Sequence, residues 1–106
     1  MGFIRVKEIL DNSLEAWADA KGRRPNLDKH GPGFSWETKK DLLEAVGRGR
    51  RLIDPDLIGT QNAEKAVLII DLRTGFGGFR MPQGGPYLPE SEIDEIQQWI
   101  ADGCPD

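Results

Sequence analysis

The stretch that most constrains the fold is residues 79–106, F-R-M-P-Q-G-G-P-Y-L-P-E-S-E-I-D-E-I-Q-Q-W-I-A-D-G-C-P-D. Its second half carries Ile93, Ile96, Trp99 and Ile100 three and four residues apart, which is one face of a helix. Glu90 and Glu92 place negative charge at the positive helix end, and Pro89 suits the position just before the start. Gly103 ends the helix and Pro105 cannot continue it. The first half packs Pro82, Gly84, Gly85 and Pro86 into a tight loop with Met81 at its head. Such a loop is governed by backbone geometry, and Gly84 or Gly85 is expected at positive φ.

The rest of the chain supplies elements for this helix to pack on. Residues 3–20 read as a long amphipathic helix with Phe3, Val6, Leu10, Leu14 and Trp17 on one face and Ile9 beside them. Gly22 and the Arg-Arg-Pro step at 23–25 end it. Residues 26–34, N-L-D-K-H-G-P-G-F, form a loop. A second helix is expected over 35–46, with Thr38 and Asp41 as a capping pair and Leu42, Leu43 and Val46 as its buried stripe. Trp36, near its start, is expected to cover the core rather than line a pocket. Gly47 and Gly49 break that helix, and Arg48, Arg50 and Arg51 form a basic cluster. Such a cluster is a solvated or locally paired surface, or else a site for an anion or acidic partner. Residues 52–60 are a loop around Pro55 with one helical turn at 56–58. Asn62 can cap a third helix over 63–72, whose β-branched centre Val67-Leu68-Ile69-Ile70 suits a buried strand equally well.

The R-M-P-Q-G-G-P loop followed by E-I-x-x-I-x-x-W-I-x-x-G resembles the C-terminal third of class I cytochrome c domains. The resemblance implies an all-α, cytochrome c-like domain of about four helices spanning residues 1–106. In that family the first and last helices cross, aromatic against aromatic, which nominates Trp17 and Trp99. It also implies a helix rather than a strand at 63–72, and Met81 as the axial sulfur of a haem. The family's C-x-x-C-H attachment motif is missing, because the chain has one cysteine, Cys104, at its far end. Family members can read C-x-x-C-H-G-P-G; aligned on H-G-P-G, Asn26 and Lys29 stand at the cysteine positions and His30 at the proximal ligand position. In a second register the lost site falls near residues 14–18 and no histidine survives.

Composition narrows the function classes. The chain of 106 residues is one domain, 38% hydrophobic and 30% charged. A net charge of −4 argues against nucleic acid and acidic membranes as main partners. Charges throughout residues 1–21 leave no apolar signal core, no run reaches membrane-spanning length, and Val6 stands where a myristoylation signal wants Ser or Thr. A cytoplasmic protein is the expectation. One histidine and one cysteine give no zinc set, and no nucleophile elbow, phosphate loop or dinucleotide fingerprint is present. Glu90, Glu92, Asp94 and Glu95 read as a solvated helix face, and Cys104 as a tolerated small residue.

The expected function is therefore non-enzymatic: a haem-free, cytochrome c-like accessory or protein-binding module, with another protein as partner and no cofactor. Two alternatives stand beside it. One is an electron-transfer protein holding non-covalent haem between His30 and Met81, since His/Met ligation is the cytochrome c pattern. The other is a small subunit that completes an enzyme of another chain.

Overall fold

The last helix is the element on which the others converge. In the computed structural model, which describes residues 2–22, 35–47, 49–75, 80–82 and 84–106, the described residues form four α-helices and one two-stranded hairpin. These are α1 (Phe3–Lys21), α2 (Lys39–Glu44), β1 (Val46–Gly47), β2 (Arg50–Arg51), α3 (Val67–Arg73) and α4 (Glu90–Ala101). Single 3₁₀ turns occupy Pro55–Leu57 and Ala63–Lys65. The architecture is mostly helical, and no helix among the described residues is long and apolar enough to cross a membrane.

Helix α4 buries its whole expected stripe, Ile93, Ile96, Trp99 and Ile100, each at 0% exposure. Its end is a Schellman motif: the Cys104 N–H reaches back to Trp99 O at 2.9 Å and the Gly103 N–H to Ile100 O at 3.1 Å, with Gly103 at φ +97°. The Gly59 N–H also donates to Ile100 O at 2.9 Å, so a distant loop helps satisfy the helix end. Cys104 is buried and belongs to the same core as Trp99. It fills the hydrophobic position that accompanies this cap, so it is a packing residue and not merely a tolerated one.

Helix α1 starts from Gly2 and ends at Gly22, whose φ of +69° lets its N–H close onto Ala18 O at 2.8 Å. Its buried residues are Phe3, Val6, Ile9 and Leu10. Leu14 and Trp17, expected in the same stripe, are only half-buried. The aromatic partner of Trp99 is Phe3, at 6.1 Å between ring centroids and 43° between planes, and not Trp17. Lengths explain the difference. Trp17 lies about 21 Å along the axis from Phe3, and α4 is about 18 Å long against about 28 Å for α1, so one end of α1 overhangs it.

The other elements close the core around α4. The Thr38 hydroxyl accepts from the Asp41 N–H at 3.1 Å, the expected cap, but α2 stops at Glu44. Ala45 turns extended with ψ 135°, and Val46 enters the hairpin at 37% exposure instead of completing a buried stripe. Arg51 donates to Leu43 O, satisfying a carbonyl left open at the end of α2, so part of the basic cluster has a structural use. The expected third helix is split: Ala66 is extended (φ −61°, ψ 138°) between the 3₁₀ turn and α3, and Asn62 makes no side-chain cap. Ala63 and Ala66 are buried, and the 3₁₀ turn they bound packs on α4. Small side chains there allow close approach, which breaks the helix where propensity alone would have continued it.

Three polar ties fasten the helices. From α1, Arg5 forks onto Glu95 (Nε 3.1 Å, Nη2 2.9 Å). From α3, Arg73 reaches Glu90 at 2.7 Å, Asp94 at 2.8 Å and Gln97 at 2.7 Å on α4. The Trp36 indole donates to Asp11 at 2.9 Å, which ties the lead-in to α2 onto α1. Burial alone would raise the Asp11 carboxyl, but hydrogen bonds from Lys7 and Trp36 outweigh it and hold the group below the usual carboxylate range. Truncation separates the two tryptophans. Trp99→Ala should cost about 3–5 kcal/mol in a denaturant melt, as large-to-small core changes do, whereas Trp17→Ala should cost less than half as much.

Candidate functional site

The two candidate ligands, His30 and Met81, lie in different loops, and of the two Met81 is among the described residues. His30, with Asn26 and Lys29, lies outside the described residues, as does Arg48. Met81 is half-buried at the head of its loop.

The chain's own groups pin that loop at both ends. The Met81 N–H donates to Asp71 O at 2.8 Å, and Arg80 Nε donates to Leu72 O at 3.1 Å, so both residues hang from the last turn of α3. Those carbonyls are among the four that a helix end leaves without intrahelical partners. The Gly85 N–H then closes a four-residue turn onto Pro82 O at 2.8 Å. Gly84 is its third residue, with φ +79°, the position at which a type II turn demands positive φ. Gly85 also has positive φ, +72°, and is buried. Lys21, at the end of α1, donates to Gly84 O at 3.3 Å. Beyond the turn, Leu88 drops into the core at 7% exposure while Tyr87 stays 44% exposed. The Arg80 guanidinium stacks 4.3 Å from the Tyr87 ring centroid, a cation–π contact.

Covalent haem c needs two thiols beside a proximal histidine. The single thiol, Cys104, is buried at the C-terminal end of α4, so the residues present do not fit covalent attachment. Met81 offers one sulfur of the kind that ligates iron. Among the described residues, no group of three His, Cys, Asp or Glu side chains could hold a metal ion.

A shallow depression of about 410 Å³ lies between the Gly59–Ala63 turn and the end of α4, lined by Thr60, Gln61, Gln97 and Gln98. Asp102 also lines it, its carboxylate accepting from Gln98 Nε2 at 2.9 Å, and the other polar side chains are neutral amides and a hydroxyl. Sequence reasoning missed the Arg80–Tyr87 stack and the Arg73 and Arg5 clamps. Residues 80 and 87 flank the glycine turn, and that spacing was the one signal in the sequence for their contact.

No family model matches the chain, and neither a curated protein nor a solved structure matches it.

The buried thiol gives a pH test. Burial pushes Cys104 up from an ordinary value of 9.0 to about 11, with Lys39 opposing. The folded state therefore keeps a proton that the unfolded state loses. This contribution to stability is complete below pH 9.0 and is lost as pH rises to about 11. Between those values wild type should lose stability faster than Cys104→Ala, by up to about 1.4 kcal/mol per pH unit. Parallel slopes in paired denaturant melts would contradict the buried-thiol assignment.

Proposed function

We propose that the chain is a haem-free domain of the cytochrome c-like kind, serving as an accessory or protein-binding module without catalytic activity of its own. One observation carries this reading. The loop that in the resembled family presents the axial sulfur is tied here to the rest of the chain by its own hydrogen bonds: Met81 on Asp71, Arg80 on Leu72, Lys21 on Gly84, and the turn closed by Gly85. None of these bonds uses the Met81 sulfur, so the tie is available to the loop without a ligand.

Three further observations support it. The first and last helices pack with Phe3 against Trp99, an aromatic contact between the two helices for which the resemblance nominated Trp17 instead of Phe3. The only cysteine caps a helix instead of offering a thioether. Exposed Tyr87 beside Arg80 is the residue pairing that protein interfaces favour.

The test is the visible spectrum of protein produced with haem available. It should show no Soret band. Met81→Leu, which keeps volume and changes only the sulfur, should cost less than about 1.5 kcal/mol. Gly85→Val should cost more, since a β-branched residue is strained at φ +72°. A Soret band at one haem per chain that disappears in Met81→Ala or His30→Ala would establish the electron-transfer reading instead.

A further inference from the structure

Residues 86–89, Pro-Tyr-Leu-Pro, leave the glycine turn and enter α4. Pro86, Tyr87 and Pro89 are exposed and Leu88 is buried. Pro89 has φ −63° and ψ 148°, which is polyproline II geometry. The Pro86 ring fixes its own φ near the same value, and Leu88 is held in the extended or polyproline II region by the proline that follows it. On a polyproline II path, which repeats every three residues, Pro86 and Pro89 share one edge, Tyr87 takes the second and Leu88 the third. Burial follows that division: the Leu88 edge anchors the segment and the other two face solvent.

We infer that residues 86–89 are a preformed polyproline II ligand for a protein domain with an aromatic-lined groove and an acidic flank, of the SH3 type. The two prolines on one edge are the spacing that such grooves read. The acidic flank is argued from charge. Arg80 stacks on Tyr87, and Lys21 sits on the carbonyl of Gly84, so two cations border the segment in a chain of net charge −4. The acidic side chain that follows, Glu90, is already bonded to Arg73. A planar guanidinium beside the prolines presents the donors that a carboxylate pocket takes. Tying the segment down between Leu88 and the turn removes much of the ordering cost that a free peptide meets on binding. This inference rests on the protein-binding reading above and names its partner class.

The experiment titrates the whole unlabelled protein into a panel of purified, ¹⁵N-labelled SH3 domains. Saturable shifts of the groove aromatics in at least one domain are expected, reversed by a proline-rich competitor peptide. Pro89→Ala and Tyr87→Ala, each checked by thermal melt for an intact fold, should weaken that binding about tenfold or more, the loss of one good contact. Absence of saturable shifts across the panel overturns the inference, and so does binding that survives both substitutions. A colourless protein that ignores every SH3 domain but binds another protein would overturn this inference and leave the module reading standing. A Soret band with the SH3 shifts retained would overturn that reading and uphold the groove-ligand assignment.

Discussion

Burial of Trp99 is the contact on which the remaining structure depends. The side chain is 0% exposed, stacks near Phe3, and still satisfies its indole N–H on Pro105 O at 2.8 Å. A buried indole without that acceptor would carry the cost of an unpaired donor. Supplying the acceptor requires the chain after α4 to fold back sharply, which the Schellman turn at Gly103 and Cys104 achieves. The same turn brings the Cys104 side chain into the core. One buried aromatic therefore sets the helix end, the chain reversal and the burial of the only thiol together.

The polar ties follow from that placement. With its apolar face buried, α4 turns its carboxylates outward along both flanks. Arg5 from α1 takes Glu95 and also approaches Glu92 at 3.7 Å, while Arg73 from α3 takes Glu90 and Asp94. Exposed ion pairs contribute little each. Their use here is directional, because planar forks onto successive turns of one helix fix how α1 and α3 lie on it. The acidic face that the sequence presents as plain solvated surface is the surface by which the other helices are oriented.

What could be read from the sequence was local. The bounds of α4, the Thr38 cap and a positive φ in the Gly84–Gly85 pair each follow from a few adjacent residues, whereas the residues of 67–73 suit a strand equally well and their helical state does not. What could not be read depends on partners far along the chain. Phe3 and not Trp17 meets Trp99 because of how far α1 overhangs α4. Ala66 breaks a helix because the 3₁₀ turn must approach α4. Cys104 is buried because the chain folds back over Trp99. For the candidate site, the shape of the Met81 loop was legible in its prolines and glycines, but its anchorage to the end of α3 and the Arg80–Tyr87 stack were not. His30 falls outside the described residues, so its place relative to Met81 stays an expectation of the sequence.

Native-state hydrogen exchange most directly tests the claim that α4 and Trp99 organise the fold. Amides that open only with the whole domain exchange with its global unfolding free energy, while peripheral segments open at lower cost. The amides of Ile96, Trp99 and Ile100 should share the slowest exchange in the chain, with those in the last two turns of α1 exchanging faster. Exchange of the Trp99 region that is faster than, or independent of, global unfolding would contradict a structure built around that helix.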